Sequence, residues 1–293
     1  MNKPDYNSAS SLKAFLEENG MAMQKKFGQN FMLNADARSH IVDTLNIKPG
    51  DFVWEIGPGL GCMTEEILKR GANLTVFEID RKFILFLHEF FKEYEEKGVF
   101  KIVEGDVLKN WKKELESSGR KASEIKLFGN LPYNIAATFV ADTITENKVF
   151  SLCTFTVQKE VAERMASENK SENYSAFSVL CHSVYNVKLD MVLAAGNFWP
   201  RPNVASQVVL FIPVELKRNL SNYKDFVKLV HALFSSRRKT IFNNIKSVLP
   251  KNISPEEFFV LANVDGKKRA EDLTVEDFFV LSDCLTSAIL KKV

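Results

Sequence analysis

From residue 52 to residue 158, short apolar runs alternate with stretches whose apolar residues recur every three or four positions. The runs at 52–56, 74–78, 100–104, 125–128 and 152–157 have the length and the β-branched or aromatic content of buried strands. The stretches at 63–70, 83–97 and 136–145 carry helical spacing. Such alternation predicts an α/β unit, a parallel sheet with helices on both faces. Ahead of it, an amphipathic helix is expected over 12–19 and another over 35–45, stopped by Lys48-Pro49-Gly50. Two more strands are expected over 184–192 and 207–214, as a hairpin closing round the loop 198–206. After Pro213 the strand pattern stops. Only helical periodicity follows, over 223–234, 240–249, 255–262 and 275–290, with breaks at Pro250 and Asp265-Gly266. The organisation expected is therefore an α/β domain over 1–214 and a small all-α domain over 215–293.

Length and composition leave this picture intact. A chain of 293 residues is long enough for one large domain and one small one. Its 45% hydrophobic and 26% charged content is that of a soluble globular protein. No uninterrupted apolar run has membrane-spanning length, and the N-terminus is polar, so a cytoplasmic protein without a membrane partner is expected. Cys62, Cys153, Cys181 and Cys284 show no Cys-x-x-Cys spacing, and the four histidines show no ligand spacing. No metal is expected.

Charge adds an asymmetry that the net value of +2 conceals. From Glu215 onward there are 14 basic and 10 acidic residues, a net of +4, whereas the preceding part carries 25 and 27, a net of −2. Between Lys217 and Lys251, nine basic residues face the single acid Asp225. A basic run is most often a solvated helix face. Here it contains Ser235-Ser236-Arg237-Arg238-Lys239-Thr240, short polar residues packed among cations, which suits contact with phosphates.

The chemistry is concentrated at the strand ends. Gly129-Asn130-Leu131-Pro132-Tyr133-Asn134-Ile135 follows the run at 125–128. Asn130 offers a side-chain oxygen, Pro132 fixes the backbone so that nearby carbonyls project, and Tyr133 offers a stacking face. An exocyclic amine could donate to Asn130 and to the Leu131 carbonyl while its ring stacks on Tyr133. By itself this could equally be an ordinary strand-to-helix turn. Upstream, Glu55-Ile56-Gly57-Pro58-Gly59-Leu60-Gly61 joins a strand to a helix, the opening of a nucleotide-binding βαβ unit. Cys62 stands where a dinucleotide binder has its third glycine, and Glu55 would repel a pyrophosphate but could order a zwitterionic amino-acid tail. Glu78 closes the next strand and can accept both hydroxyls of a ribose. Asp106 follows the one after that and can accept from an adenine amine. The cofactor these residues suit together is S-adenosylmethionine.

The chain resembles the ribosomal RNA adenine dimethyltransferases over nearly its full length. The resemblance is carried by Lys25-Lys26-Phe27-Gly28-Gln29-Asn30-Phe31-Met32, 55–61, Glu78-Ile79-Asp80, Gly105-Asp106-Val107 and 130–135. It continues through 157–164, Phe198-Trp199-Pro200-Arg201-Pro202-Asn203-Val204-Ala205-Ser206, 234–240 and Arg269-Ala270-Glu271-Asp272-Leu273. It implies a Rossmann-like class I methyltransferase sheet of seven strands, one of them antiparallel, and an N-terminal segment, 1–50, that covers the cofactor. It also implies cofactor contacts by Gln29, Asn30, Met32, Gly57, Gly59, Glu78, Asp106 and Asn130. The catalytic set it implies is Asn130, Leu131, Pro132 and Tyr133, and the RNA-binding cations are Arg201, Arg237, Arg238 and Lys239. Met32 stands where leucine is commonest, a nearly volume-conserving swap. Arg201, Asn203 and His182 also depart from the usual pattern and bear on details of RNA contact.

The family's bacterial member dimethylates two adjacent adenosines near the 3′ end of small-subunit rRNA, so a monomeric enzyme with that substrate is expected. Three rivals differ from it in kind. A large-subunit rRNA dimethyltransferase conferring macrolide resistance would share the catalytic motifs, but the basic tail and the 269–273 segment favour the small-subunit enzyme. A ribosome-assembly factor without turnover would keep the fold. A small-molecule methyltransferase would more often carry an apolar second domain.

Overall fold

The computed structural model describes residues 3–23, 28–131, 133–215 and 223–290. The chain divides into two compact units: Met1–Phe139, Val149–Ala162 and Lys188–Pro213 form the first, and Val140–Lys148, Glu163–Val187 and Val214–Val293 the second. The nine strands among the described residues are β1 (Phe31–Met32), β2 (Phe52–Ile56), β3 (Asn73–Glu78), β4 (Phe100–Glu104), β5 (Ile125–Asn130), β6 (Leu152–Gln158), β7 (Tyr185–Leu193), β8 (Phe198–Trp199) and β9 (Ser206–Pro213).

Seven of them make one sheet, in the order β4-β3-β2-β5-β6-β9-β7. β2 pairs in parallel with β3 and β5, β3 with β4, and β5 with β6, whereas β9 enters antiparallel to β6. The expected α/β class and its antiparallel strand are both present. Alternation along β2 serves both faces of the sheet. Val53 joins Leu74, Val76 and Phe128 in a core with Leu12 of α1 (Ala9–Glu18), Ile41 of α2 (Ala35–Asp43), Ile67 of α3 (Cys62–Lys69) and Phe86 of α4 (Arg81–Phe90). Trp54 turns the other way and packs on Phe77 at 5.0 Å and Phe150 at 5.6 Å between ring centroids.

The expected helix over 83–97 is two helices, α4 and α5 (Lys92–Glu96), because the chain breaks at Phe91. That ring is 1% exposed and packs against Phe100. It also fills the space beside Gly61, where a Cβ would come within 2.6 Å of it. Drawing Phe91 inward thus shapes the glycine loop. α6 (Val107–Ser117) was not expected; it starts on Asp106, whose carboxylate accepts the Leu108 N–H at 3.0 Å and caps it. α7 (Tyr133–Thr145) begins earlier than the expected 136. α8 (Lys159–Ala166) was also missed.

In the second unit, α9 (Ala176–Val184) packs with α10 (Tyr223–Leu233) and α13 (Val275–Leu290). The boundary expected at 214 therefore gives way to a division in which 140–148 and 163–187 join the C-terminal helices. The physical reason is visible in α9. Ser178, Val179, Leu180, Cys181, Ser183 and Val184 are all buried, so it needs neighbours on every side. Tyr174 anchors the preceding turn by donating to the Leu273 carbonyl at 3.1 Å and meeting Phe234 edge-on. The helix expected over 240–249 is only α11 (Ile241–Asn244) plus a 3₁₀ turn. α12 (Pro255–Ala262) matches its expected span and opens on a Ser254–Glu257 capping box.

Candidate active site

At the C-terminal ends of β2, β3 and β5, with the start of α6, the first unit encloses a cavity of about 480 Å³. Gln29, Asn30, Met32, Gly57, Gly59, Glu78, Asp106 and Asn130 all line it, so every residue expected to hold the cofactor converges on one space. Gly57 takes φ +69°, and a Cβ there would meet nothing within 4 Å, which leaves the backbone bare toward a ligand.

Two carboxylates beneath this loop are held differently. Glu55 is buried and accepts a hydrogen bond from the Thr64 hydroxyl at 2.7 Å. Burial pushes its carboxyl up to about 8; the Thr64 bond opposes that rise and the neighbouring Glu78 adds to it. Glu78 is also raised by burial, but accepts backbone N–H groups from Gly59 at 3.1 Å, Ile79 at 2.8 Å and Asp80 at 2.9 Å, which favour its ionised form. It therefore fixes the glycine loop to the end of β3. A cation entering the cavity would meet both groups. Cys62, at the start of α3, also lines the space, and burial pushes its thiol up to about 12, far from thiolate chemistry at neutral pH.

Asn130 is the last residue of β5 and pairs with Thr156. Its side-chain Nδ2 donates to the Asn30 carbonyl at 3.1 Å. This commits the amide nitrogen and leaves Oδ1 as an acceptor. The Leu131 side chain is buried and its N–H donates to the Thr156 carbonyl at 3.1 Å, so only its own carbonyl remains for a substrate. Pro132 and the side chain of Tyr133 lie outside the described residues, as do Lys25, Lys26 and Phe27.

Sequence reasoning missed what holds the 28–33 segment in place. β1 pairs antiparallel with β8, Phe31 opposite Trp199 and Met32 opposite Phe198, and the Phe31 and Trp199 rings stack at 6.3 Å. Gln29 donates to Asp80 at 3.3 Å. Arg38, in α2, donates from one nitrogen to the carbonyls of Met32 and Leu33 at 2.8 and 2.9 Å. Its location on an ordinary amphipathic helix gave no signal of this.

The cations expected at RNA fall in both units. Arg201 is exposed on the loop after β8 in the first. Arg237, Arg238 and Lys239 form an exposed turn in the second. That turn is braced from inside by the buried Asn244, whose Nδ2 donates to the Leu233 carbonyl at 2.7 Å and the Ser236 carbonyl at 3.0 Å. Arg237 pairs with Glu271 at 3.1 Å, and both line, with Arg238, a groove that also holds Lys170, Arg269, Glu172 and Asp272. No group of histidine, cysteine and acidic side chains able to hold a metal occurs among the described residues, and no described helix is long and apolar enough to cross a membrane.

A family model described as "Ribosomal RNA adenine dimethylase" matches residues 20–287. A protein of Treponema denticola named "Ribosomal RNA small subunit methyltransferase A" is 43% identical over 288 residues, 97% of each chain. One of the same name from Borreliella burgdorferi is 40% identical over 283 residues, covering 97% of this chain and 96% of its own. Among solved structures, a dimethyladenosine transferase from Plasmodium falciparum superposes with a TM-score of 0.73 at 23% identity, over 89% of this chain and 98% of that one. The 23S rRNA methyltransferase ErmE gives 0.63 at 20% identity, over 87% and 99%. These last two likenesses establish the fold.

Proposed function

We propose, since the chain belongs to the ribosomal RNA adenine dimethylase family, that it methylates the N6 amines of two adjacent adenosines near the 3′ end of small-subunit rRNA, using S-adenosylmethionine. The observation that carries the mechanism is the Asn130 amide, pinned by the Asn30 carbonyl at 3.1 Å on the wall of the cavity.

When bound, S-adenosylmethionine supplies a methyl group made electrophilic by its sulfonium. Glu78 retains acceptor capacity beyond its three backbone donors and suits a ribose diol. One oxygen of Asp106 caps α6 and the other is open to an adenine amine. Glu55, protonated when no cation is near, ionises if an ammonium approaches, so it favours an amino-acid tail over a phosphate. Gln29, Asn30 and Met32 close the opposite wall.

The target adenine must leave its stack to enter, and Tyr133 would replace the lost stacking. Its amino lone pair is delocalised into the ring and is a weak nucleophile. Donating its two protons to Asn130 Oδ1 and the Leu131 carbonyl favours a pyramidal nitrogen whose lone pair is free to attack. Pro132 fixes the carbonyl that accepts. The proton leaves after attack has made the nitrogen cationic, so no strong base is required. Catalysis rests on positioning and charge complementarity, and a sulfonium needs no metal to activate it. Arg201, Arg237, Arg238 and Lys239 would contact rRNA phosphates, with 215–293 contributing most of the basic surface. We assign the enzyme to the cytoplasm, as a monomer acting on the small subunit or its precursor.

The test is transfer of labelled methyl groups to small subunits lacking the modification, with large subunits in parallel and nucleosides identified by mass spectrometry. Dimethyladenosine on the small subunit is expected. Asn130→Ala should lower the rate by about 10²–10³, the usual effect of deleting one positioned polar group. Label on the large subunit alone would overturn the assignment, and undiminished transfer by Asn130→Ala would overturn the mechanism.

A further inference from the structure

Arg38 is 7% exposed, and its hydrogen bonds to described residues run to neutral oxygens rather than to a carboxylate. A buried guanidinium without a counter-charge is costly unless its donors are satisfied. Here they go to neutral oxygens: Met32 O at 2.8 Å, Leu33 O at 2.9 Å and Asn7 Oδ1 at 2.7 Å. The guanidinium also lies 5.9 Å from the centre of the Tyr6 ring. The Tyr6 hydroxyl donates in turn to the Leu60 carbonyl at 2.8 Å, inside the glycine loop. One cation thus gathers the N-terminal residues 6–7, the segment 31–33 and the turn at Leu60. Two of these, through Met32 and through the neighbours of Leu60, form walls of the cavity. Arg38 itself does not line it.

We propose that Arg38 is a positioning residue for the cofactor, a clamp that fixes the 31–33 wall at its working distance from the glycine loop. This rests on the reading that the cavity holds S-adenosylmethionine. The backbone carbonyls of Met32 and Leu33 point inward to the guanidinium, so their side chains are presented from a fixed frame. Tyr6 and Asn7 complete that frame, which makes the N-terminal residues a functional part of the cofactor site. Without Arg38 the segment keeps its pairing with β8 and the Phe31 ring beside Gly59, but loses its tie to Tyr6 and Asn7 and, through Tyr6, to the Leu60 carbonyl.

The experiment is calorimetric titration of the full-length protein with S-adenosylmethionine, alongside stopped-flow dissociation and melting curves. Arg38→Met should bind roughly 10- to 100-fold more weakly, the loss of two or three charge-assisted hydrogen bonds, mainly through faster release. The loss should fall on affinity more than on turnover at saturating cofactor, because bound cofactor holds in place the segment that carries the Asn30 carbonyl. Tyr6→Phe should weaken binding by about three- to ten-fold, and Arg38→Lys should recover part of the loss. Arg70→Ala, which breaks the pairs with Asp43 and Glu66 at 2.6 and 3.0 Å, is the comparison for stability alone and should lower the melting temperature without changing affinity. If Arg38→Met fails to fold, Tyr6→Phe and Asn7→Ala carry the test. Wild-type affinity in these variants, or an equal loss in Arg70→Ala, refutes the clamp. Absence of binding by the wild-type protein refutes the cofactor reading beneath it.

Discussion

Gly57 and Gly61 stand four residues apart in one loop, both with positive φ, yet an added methyl should act differently at the two positions. At Gly61, φ is +77° and the new Cβ would lie 2.6 and 2.9 Å from two atoms of the Phe91 ring and 3.1 Å from Leu87. Phe91 has nowhere to go, being wedged at 5.0 Å from Phe90 and 5.2 Å from Phe100. The left-handed backbone costs about 1–2 kcal/mol for a non-glycine residue, and overpacking adds about 1–3 kcal/mol. Gly61→Ala should therefore lose about 2–5 kcal/mol, a large part of the ~5–15 kcal/mol that holds a domain together. Gly57→Ala meets nothing within 4 Å, so only the backbone cost of about 1–2 kcal/mol applies. Its methyl instead enters the cavity that Gly57 lines and should weaken S-adenosylmethionine binding. Urea denaturation of both variants, followed by cofactor titration of whichever remains folded, separates the two effects. Equal midpoints, or Gly61→Ala proving the more stable of the pair, would refute the account of Phe91.

Three further outcomes follow from other parts of the molecule. Glu55 holds its proton in the folded state up to about pH 8 but would lose it near 4.5 when unfolded, so between these values the folded state binds more protons and stability falls as pH rises, by at most about 1.4 kcal/mol per unit. Glu55→Gln should therefore gain thermal stability over the wild type from pH 5 to pH 8 without cofactor; a gap that does not widen with pH counts against this. Arg238→Ala should reduce the salt dependence of small-subunit rRNA binding by about one phosphate contact, measurable by filter binding at several salt concentrations, whereas Arg237→Ala should in addition lower the melting temperature through loss of its pair with Glu271. Tyr174→Phe leaves the Leu273 carbonyl without its donor and should cost about 1–2 kcal/mol in chemical denaturation; no loss would mean that this bond does not tie the second unit together.

The strand positions along the chain, the glycine loop and the acids at Glu78 and Asp106 were legible because each rests on local pattern: an apolar run, a turn residue, a carboxylate where the run stops. β1 and β8 were not, since two-residue strands have no periodicity and pair only across most of the chain's length. Arg38 was invisible for a related reason. Its type predicts a solvated position, and only the Met32 and Leu33 carbonyls just before the helix, with the more distant Asn7 amide oxygen, turn it inward. The break at Phe91 shows tertiary packing overriding an unbroken helical pattern, as the ring gains more from the core beside Gly61 than the backbone loses at one residue. That 163–187 join the C-terminal helices was not legible, because α9, buried on most sides despite Ser178 and Ser183, carries no sequence mark of which neighbours bury it.

The bond between Asn130 and the Asn30 carbonyl has a temporal meaning. An amide side chain is nearly symmetric in shape, and a half-turn exchanges its oxygen for its nitrogen. The Asn30 carbonyl breaks that symmetry, and it belongs to the same segment that walls the cofactor cavity. With the segment seated, the amide offers an acceptor to an incoming amine; with the segment lifted, half of its orientations offer a donor that repels one. On the proposed mechanism, the grip on the base is conditional on the state of the donor site, which favours an order of events: donor first, acceptor second. If Asn130 grips the base as proposed, the adenine is held only once the donor site is walled.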